Sequence, residues 1–322
     1  MSINPFTYGL SQIKPAEGRA LWLYGEAEVA LQDVYQPWRG QAQMLQNKGC
    51  NVLTSLESVI PGYDAVFLNC PKQQEESNGL IARALELSKG FVMVAAPNNA
   101  GGTRLKKMVE AYGVEVEQAS KSHFRIVWTL RASHADKALI EKNKAALALR
   151  RVQIENEDRW TIPGLFGWDK ADAGSKFLLE HLPKDISGNI ADFGCGYGYL
   201  SFMVAKRYPA ILSVDAYDAD ARAVECCKRN STDKVNALWE NIPSMDIRKR
   251  YDAIIMNPPF HTGKGEDIGL GQAFITKAWH SLRLGGRLFM VSNRTLPYEK
   301  TVTGLKVLHE NADYKILGGH AP

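Results

Sequence analysis

The run Tyr251-Asp252-Ala253-Ile254-Ile255-Met256-Asn257-Pro258-Pro259 has an earlier echo in the same chain, Tyr63-Asp64-Ala65-Val66-Phe67-Leu68-Asn69-Cys70-Pro71. Each opens on Tyr-Asp, continues as a short apolar stretch and stops at Asn before proline, as a strand that ends abruptly does. Two further echoes follow in the same order. Gly90-Phe91-Val92-Met93-Val94 resembles Gly286-Arg287-Leu288-Phe289-Met290, and Phe124-Arg125-Ile126-Val127 resembles Tyr314-Lys315-Ile316-Leu317. One match between strands is cheap, because strands draw on few residue types. Three in register predict a duplicated fold.

Outward from these runs the chain alternates strand and helix patterns. Strands are expected at 20–24, 65–69, 91–95 and 124–129 in the first half, and at 190–193, 211–217, 251–256 and 287–292 in the second. Helices are expected at 200–208, 220–229 and 271–284. That rhythm predicts an α/β fold with a mostly parallel, doubly wound sheet in each half.

A length of 322 residues exceeds what one core usually supports, which also favours two domains. The expected division is 1–130, a basic helical linker at 131–160, and 161–322. The stretch 132–152 is rich in Ala, Lys and Leu, with Lys137, Lys142, Lys144, Arg150 and Arg151. It reads as a solvated helix face or as an RNA-facing surface. A net charge of +4 tolerates a nucleic-acid partner without demanding one. The five cysteines lack metal-ligand spacing, and Cys226 and Cys227 are adjacent, so no metal is expected and a reduced cytoplasm fits. Residues 1–10 do not read as a secretory signal, and no apolar stretch approaches the roughly 20 residues of a membrane span.

Asp192-Phe193-Gly194-Cys195-Gly196-Tyr197-Gly198 follows a short apolar strand and opens a helix. Gly194 suits the tight turn, Gly196 a close approach of ligand to backbone, and Gly198 packing of the helix on the strand. A nicotinamide fingerprint needs glycine where Tyr199 stands. The spacing G-x-G-x-G with a preceding acid suits S-adenosylmethionine instead, with Asp192 available to its amino-acid end. Asp218, or Asp215 if the register differs, is positioned to accept the ribose hydroxyls; the other reading of either is a helix N-cap. Asn241 falls near the end of the third strand, beside the adenine. Cys195 has no histidine partner that would make it a nucleophile.

Asn257-Pro258-Pro259-Phe260 follows the fourth strand of the second half, at 251–256, and would face the glycine loop after the first strand across the crevice of such a sheet. The prolines fix where the Asn257 side chain and the Pro258 carbonyl point. Two acceptors holding the hydrogens of an aromatic amine localise its lone pair for in-line attack, a matter of positioning and electrostatics. Phe260 can stack on the flat substrate.

At these residues the sequence resembles the class I methyltransferases, and more narrowly the ribosomal RNA small subunit methyltransferase C family. The resemblance is close over 164–317, including Phe166, Asp172-Ala173-Gly174-Ser175, the 192–198 loop, 257–261 and Leu296-Pro297-Tyr298; it is looser over the first half. It implies two tandem Rossmann-like methyltransferase domains, of which only the second binds S-adenosylmethionine. It also implies methylation of a guanine N2 in small-subunit (16S) ribosomal RNA, and Asp172 near the methionine end of the cofactor, although Asp172 reads equally as an N-cap. A monomer is expected. The sequence departs from its relatives at Phe166-Gly167-Trp168, where a Ser-Arg pair is more usual. Asn-Pro-Pro motifs also occur in DNA adenine and release-factor glutamine methyltransferases. The same fold would also serve a small-molecule methyltransferase or a non-catalytic ribosome-assembly factor.

The first half lacks the site motifs. Its loop, Leu21-Trp22-Leu23-Tyr24-Gly25-Glu26, has one glycine; Cys70 stands for Pro258 and Lys72 for Phe260. The expectation is a degenerate domain without cofactor, offering Arg104, Lys106, Lys107 and Lys121 to RNA.

Overall fold

The computed structural model describes residues 5–13, 17–26, 33–247, 249–259, 261–262, 265–266 and 268–322. In chain order the first repeat runs α1 (Pro5–Gln12), β1 (Ala20–Leu23), β2 (Asp33–Tyr35), α2 (Arg39–Asn47), β3 (Asn51–Leu53), β4 (Tyr63–Asn69), α3 (Gln74–Leu87), β5 (Ser88–Pro97), α4 (Leu105–Glu110), β6 (Glu117–Lys121), β7 (Phe124–Thr129) and α5 (Lys137–Lys144). A hairpin, β8 (Arg150–Ile154) and β9 (Glu157–Thr161), follows. The second repeat runs α6 (Ala173–His181), β10 (Gly188–Phe193), α7 (Tyr199–Arg207), β11 (Ile211–Asp218), α8 (Ala221–Asn230), β12 (Val235–Trp239), β13 (Tyr251–Met256), the short pair β14 (His261–Thr262) and β15 (Gly265–Glu266), α9 (Ile268–Ser281), β16 (Leu282–Asn293), β17 (Lys306–Glu310) and β18 (Tyr314–His320).

Each repeat forms a seven-stranded sheet, ordered β3-β2-β1-β4-β5-β7-β6 in one and β12-β11-β10-β13-β16-β18-β17 in the other. The two orders are the same. In both, the first five strands pair in parallel and the last two pairings are antiparallel. The likeness reaches the irregularities: the register slips after Tyr63 in the β4–β5 pair and after Tyr251 in the β13–β16 pair. The duplicated doubly wound fold expected from the echoes is therefore present, and the echoes mark equivalent strands.

Parallel strands with helices on both faces must be apolar on both sides. Leu21, Leu23, Val66, Leu68, Val92 and Val94 face one buried cluster of the first repeat. Trp22, Phe67, Phe91 and Met93 face the other, where Trp22 stacks on Phe67 with centroids 4.9 Å apart. In the second repeat Ile254, Met256, Leu288 and Met290 pack with α9 through Phe274, Ile275 and Ala278.

The chain divides into two compact units, residues 1–148 with 162–164, and residues 149–161 with 165–322. The stretch 131–160, expected from sequence to be one basic helical linker, is thus shared between them. Asp136 caps α5 by accepting the Leu139 N–H (3.1 Å), and Ala132, Ala135 and Ile140 join the first core. From Arg150 the helical pattern gives way to strand. Ile154 pairs with Glu157 across a two-residue turn, and Glu155 and Asn156 have φ of 52° and 65°, as a tight hairpin turn requires. The last helix also ends sooner than expected, at Ser281, because Leu282 pairs with Tyr251 as the first residue of β16.

Candidate active site

In a doubly wound sheet the crevice opens at the carboxyl ends of the strands where the order reverses. Here that is between β10 and β13, and the glycine turn follows the first while Asn257 follows the second. Gly194, Gly196 and Gly198 all have left-handed backbones, with φ of 83°, 55° and 95°. The Gly194 and Cys195 N–H groups both donate to the Tyr217 carbonyl (2.8 and 2.9 Å), so the turn folds back onto β11. A Cβ at Gly198 would lie 2.8 Å from Cys227 Sγ. That glycine therefore lets α7 approach helix α8, rather than the strand expected from sequence. A Cβ at Gly196 would meet no protein atom within 4 Å; the backbone there borders open space.

Asp192, next to last in β10, and Asp218, last in β11, lie behind this turn. Asp218 Oδ2 accepts the Gly196 N–H (2.8 Å) and Oδ1 accepts the Asp220 N–H (2.9 Å). Burial pushes its carboxyl up to about 6, against the lowering effect of the Asp220 and Gly196 N–H groups that donate to it. The helix cap of α8 is Asp220, not Asp218. Asp192 is wholly buried. Ser201 donates to its Oδ2 at 2.6 Å, its Oδ1 has no protein partner, and burial pushes the carboxyl up to about 7. Asp215 lies three residues before the end of β11, and its Oδ2 accepts from the Tyr251 hydroxyl and from Lys249 Nζ, each at 2.9 Å. The same Tyr–Asp bond recurs in the first repeat, Tyr63 to Asp33 at 2.9 Å. Asn241 sits two residues past β12 with its amide donating to Ser244 Oγ (2.7 Å). The Cys195 thiol is buried and raised well above its ordinary range, chiefly by its bond to Cys227 and by burial. That holds it protonated, as a poor nucleophile.

Asn257 and Asp172 meet. Asp172 caps α6 by accepting the Ser175 N–H (2.8 Å), and the same Oδ2 accepts from Asn257 Nδ2 (2.8 Å). Asn257 Nδ2 also donates to Ser175 Oγ (2.9 Å). A cleft with about 370 Å³ of empty space is lined by Phe166, Asp172, Ser175, the 194–197 turn and Asn257, among others. Asp192, Asp215, Asp218 and Asn241 do not line it. Position 194 ties the two motifs together, since a Cβ there would lie 3.9 Å from the Asn257 carbonyl and from Pro259 Cδ. Pro258 is buried and Pro259 exposed; Phe260 lies outside the described residues. Phe166 is 68% exposed at the cleft, beside Gly167 with φ 65°, and the Trp168 ring carries the Arg150 guanidinium 5.1 Å away. Sequence reasoning misses Ser201 and gives Ser175 no role; the Asp-x-x-Ser cap spacing at 172–175 is a signal for the latter.

Strand register puts Trp22 at the place of Asp192, Tyr24 at that of Gly194 and Glu26 at that of Gly196. Gln36 stands for Asp218. The turn survives: Tyr24 has φ 57°, and its N–H donates to the Tyr35 carbonyl (2.8 Å) as Gly194 does to Tyr217. Gln36 donates through Nε2 to the Gly25 carbonyl (2.8 Å), and Asn69, at the place of Asn257, donates to the Tyr24 carbonyl (2.9 Å).

The family model named Methyltransferase small domain matches residues 156–318. Ribosomal RNA small subunit methyltransferase C of Shewanella pealeana is 31% identical over 268 residues, 79% of this chain and 76% of that protein. The Pseudomonas entomophila protein of the same name is 32% identical over 251 residues, 75% and 73% of the two chains. The chain belongs to the ribosomal RNA small subunit methyltransferase C family. Among solved structures, the T. Thermophilus 16S rRNA N2 G1207 methyltransferase, determined with AdoMet and guanosine, superposes with a TM-score of 0.81 at 23% identity, covering 99% of this chain and 92% of its own. The two-repeat fold is thus shared along the chain. No helix among the described residues is long and apolar enough to cross a membrane, and no group of three or more His, Cys, Asp or Glu there could hold a metal ion.

Proposed function

We propose that the chain methylates the N2 amino nitrogen of a guanine in 16S ribosomal RNA, with S-adenosylmethionine bound by the second repeat. The observation that carries this is Asn257. Both of its amide hydrogens are committed, to Asp172 and Ser175, on the wall of a cleft that also contains the open Gly196 turn. Its side-chain oxygen is left as an acceptor of fixed orientation, and the Pro258 carbonyl is a second. Together they hold the amine hydrogens so that the nitrogen lone pair points at the methyl donor. The product nitrogen then releases its extra proton to water. Phe166 offers an aromatic face to the base at the mouth of the cleft.

S-adenosylmethionine, when bound, supplies a methyl group on a positively charged sulfur. The residues behind the turn fit it. Asp192 keeps a buried oxygen without a partner, suited with Asp172 to the ammonium end. Asp218 is fixed at Gly196 to take the ribose hydroxyls, and Asn241 is nearest the adenine by strand order. Asp215 is the weaker ribose candidate, since Tyr251 and Lys249 already hold it and the first repeat keeps the same bond. The names of the relatives support the ribosomal substrate, and that of the solved structure supports guanine N2. The first repeat holds no cofactor on this reading, because Trp22, Tyr24, Glu26 and Gln36 occupy the places the ligand needs. Its exposed Arg104 and Lys107, with Lys106 and Lys121, instead attract RNA phosphates. We place the enzyme in the cytoplasm, acting as a monomer without metal.

The test is methyl transfer from labelled S-adenosylmethionine to small subunits and to naked 16S RNA, with the modified nucleotide mapped. One guanine should gain an N2-methyl group. Asn257→Ala should lower kcat about 100- to 1,000-fold, the size of one lost preorganised polar contact, while the cofactor Kd stays nearly constant. Full turnover by this variant would reduce the Asn-Pro-Pro segment to a turn.

A further inference from the structure

Asn230, the last residue of α8, is buried with 9% of its surface exposed. Its side-chain oxygen accepts the Trp160 N–H (2.7 Å), and its Nδ2 donates to the Trp160 carbonyl (2.8 Å) and to the Tyr197 carbonyl (2.9 Å). The amide orientation is unambiguous, because the reverse would set its N–H groups against the Trp160 N–H and its oxygen against two carbonyls. The side chain thus acts as an extra strand residue beside β9 and as a clasp on the glycine turn. Tyr197 stands between Gly196 and Gly198, two left-handed residues with no side chain to restrict them. The Gly196 N–H is held by Asp218 and the Gly198 N–H by the Cys195 carbonyl, and Asn230 holds the Tyr197 carbonyl between them.

A second set of bonds holds the hairpin to the same region. Glu155, in the hairpin turn, accepts the Tyr199 hydroxyl (2.7 Å) and pairs with Lys176 Nζ (2.7 Å). Tyr199 begins α7 immediately after Gly198, and Lys176 follows Ser175 on α6. Arg159 lies 3.6 Å above the Phe202 ring of α7. The helix in the matching place of the first repeat, α2, also ends on Asn, yet Asn47 is exposed and, among the described residues, accepts from its helix neighbour Gln43 (3.1 Å).

We infer that Asn230 is a positioning residue for the cofactor site: through the Tyr197 carbonyl it fixes the glycine turn in its binding geometry, with the hairpin as its anchor. This rests on the reading that the 194–198 turn holds S-adenosylmethionine. The experiment uses the full chain. Asn230→Asp keeps the acceptor for Trp160 but loses both donors; Asn230→Ala loses everything. Each should weaken the S-adenosylmethionine Kd about tenfold or more, the scale of a broken buried hydrogen bond, while kcat at saturating cofactor stays near that of the unaltered enzyme. A residue that merely stabilised the fold would lower Tm without this split. Should both variants fail to fold, hydrogen exchange on the unaltered protein decides. Saturating S-adenosylmethionine should slow exchange at the Trp160 amide, which Asn230 holds, as well as in the turn. Variants with unchanged Kd, or a protected turn beside an unaffected Trp160 amide, would overturn the proposal. If the unaltered protein bound no S-adenosylmethionine, the functional reading would fail instead.

Discussion

Gly196 and Gly198 share a left-handed backbone but differ in what surrounds them. An alanine at either bears conformational strain, about 1–2 kcal/mol in the left-handed region, and more at Gly198, whose φ of 95° lies beyond the range other residues adopt there. At Gly198 the new methyl would also press on Cys227 Sγ, whereas at Gly196 it would meet no protein atom. Gly198→Ala should therefore lower Tm more than Gly196→Ala, and Gly196→Ala should lose more cofactor affinity per degree lost. Calorimetry and melting curves on the pair check this; equal losses would remove Gly196 from the ligand's path. The glycines were legible because their spacing and context are local. The bond between Asp172 and Asn257 was not, since it joins residues 85 apart in the chain. From sequence Asp172 reads as a helix cap or as a site residue; one carboxylate oxygen serves the cap and holds Asn257.

At the level of elements, β10 and β11 carry near their carboxyl ends carboxyls raised by burial, Asp192 to about 7 and Asp218 to about 6, from 3.8. The folded chain keeps these protons where the unfolded chain has released them. Their contribution to stability is thus full below about pH 4 and is lost as pH rises through 6 to 7. The apoprotein should melt higher at pH 5 than at pH 7.5, and Asp192→Asn should flatten that slope. Cofactor affinity should run the opposite way, because a protonated Asp218 is a poorer acceptor for ribose hydroxyls. Melting temperatures that fell on acidification over this range in both proteins would refute the assignment. Long apolar strands were readable with near-correct limits; Tyr251–Met256 and Phe124–Thr129 match the structure. The hairpin was not, because Arg150-Arg151-Val152-Gln153-Ile154 continues a charged, helix-like composition. Only its pairing with Glu157–Thr161 makes it strand.

For the whole molecule, duplication was readable from three echoes because equivalent strands kept their residues while the site residues between them diverged. The first repeat retains the turn, with a tyrosine in a glycine conformation, and keeps Asn69 at the place of Asn257, but Trp22, Glu26 and Gln36 stand where the second repeat has Asp192, Gly196 and Asp218. The limits of the two units carry a practical consequence. The backbone passes between units at 148/149, 161/162 and 164/165, so no single cut separates them cleanly. A fragment begun at residue 162 or 165 would discard the Trp160 backbone and Glu155, leaving Asn230 with two polar groups facing nothing. A fragment begun at Leu149 keeps them, at the cost of carrying three residues of the other unit. The longer fragment should give one cooperative melt and bind S-adenosylmethionine, and the shorter one should melt well below it. Truncation designed on sequence boundaries would mistake the loss of a clasp for a catalytic half that cannot fold alone.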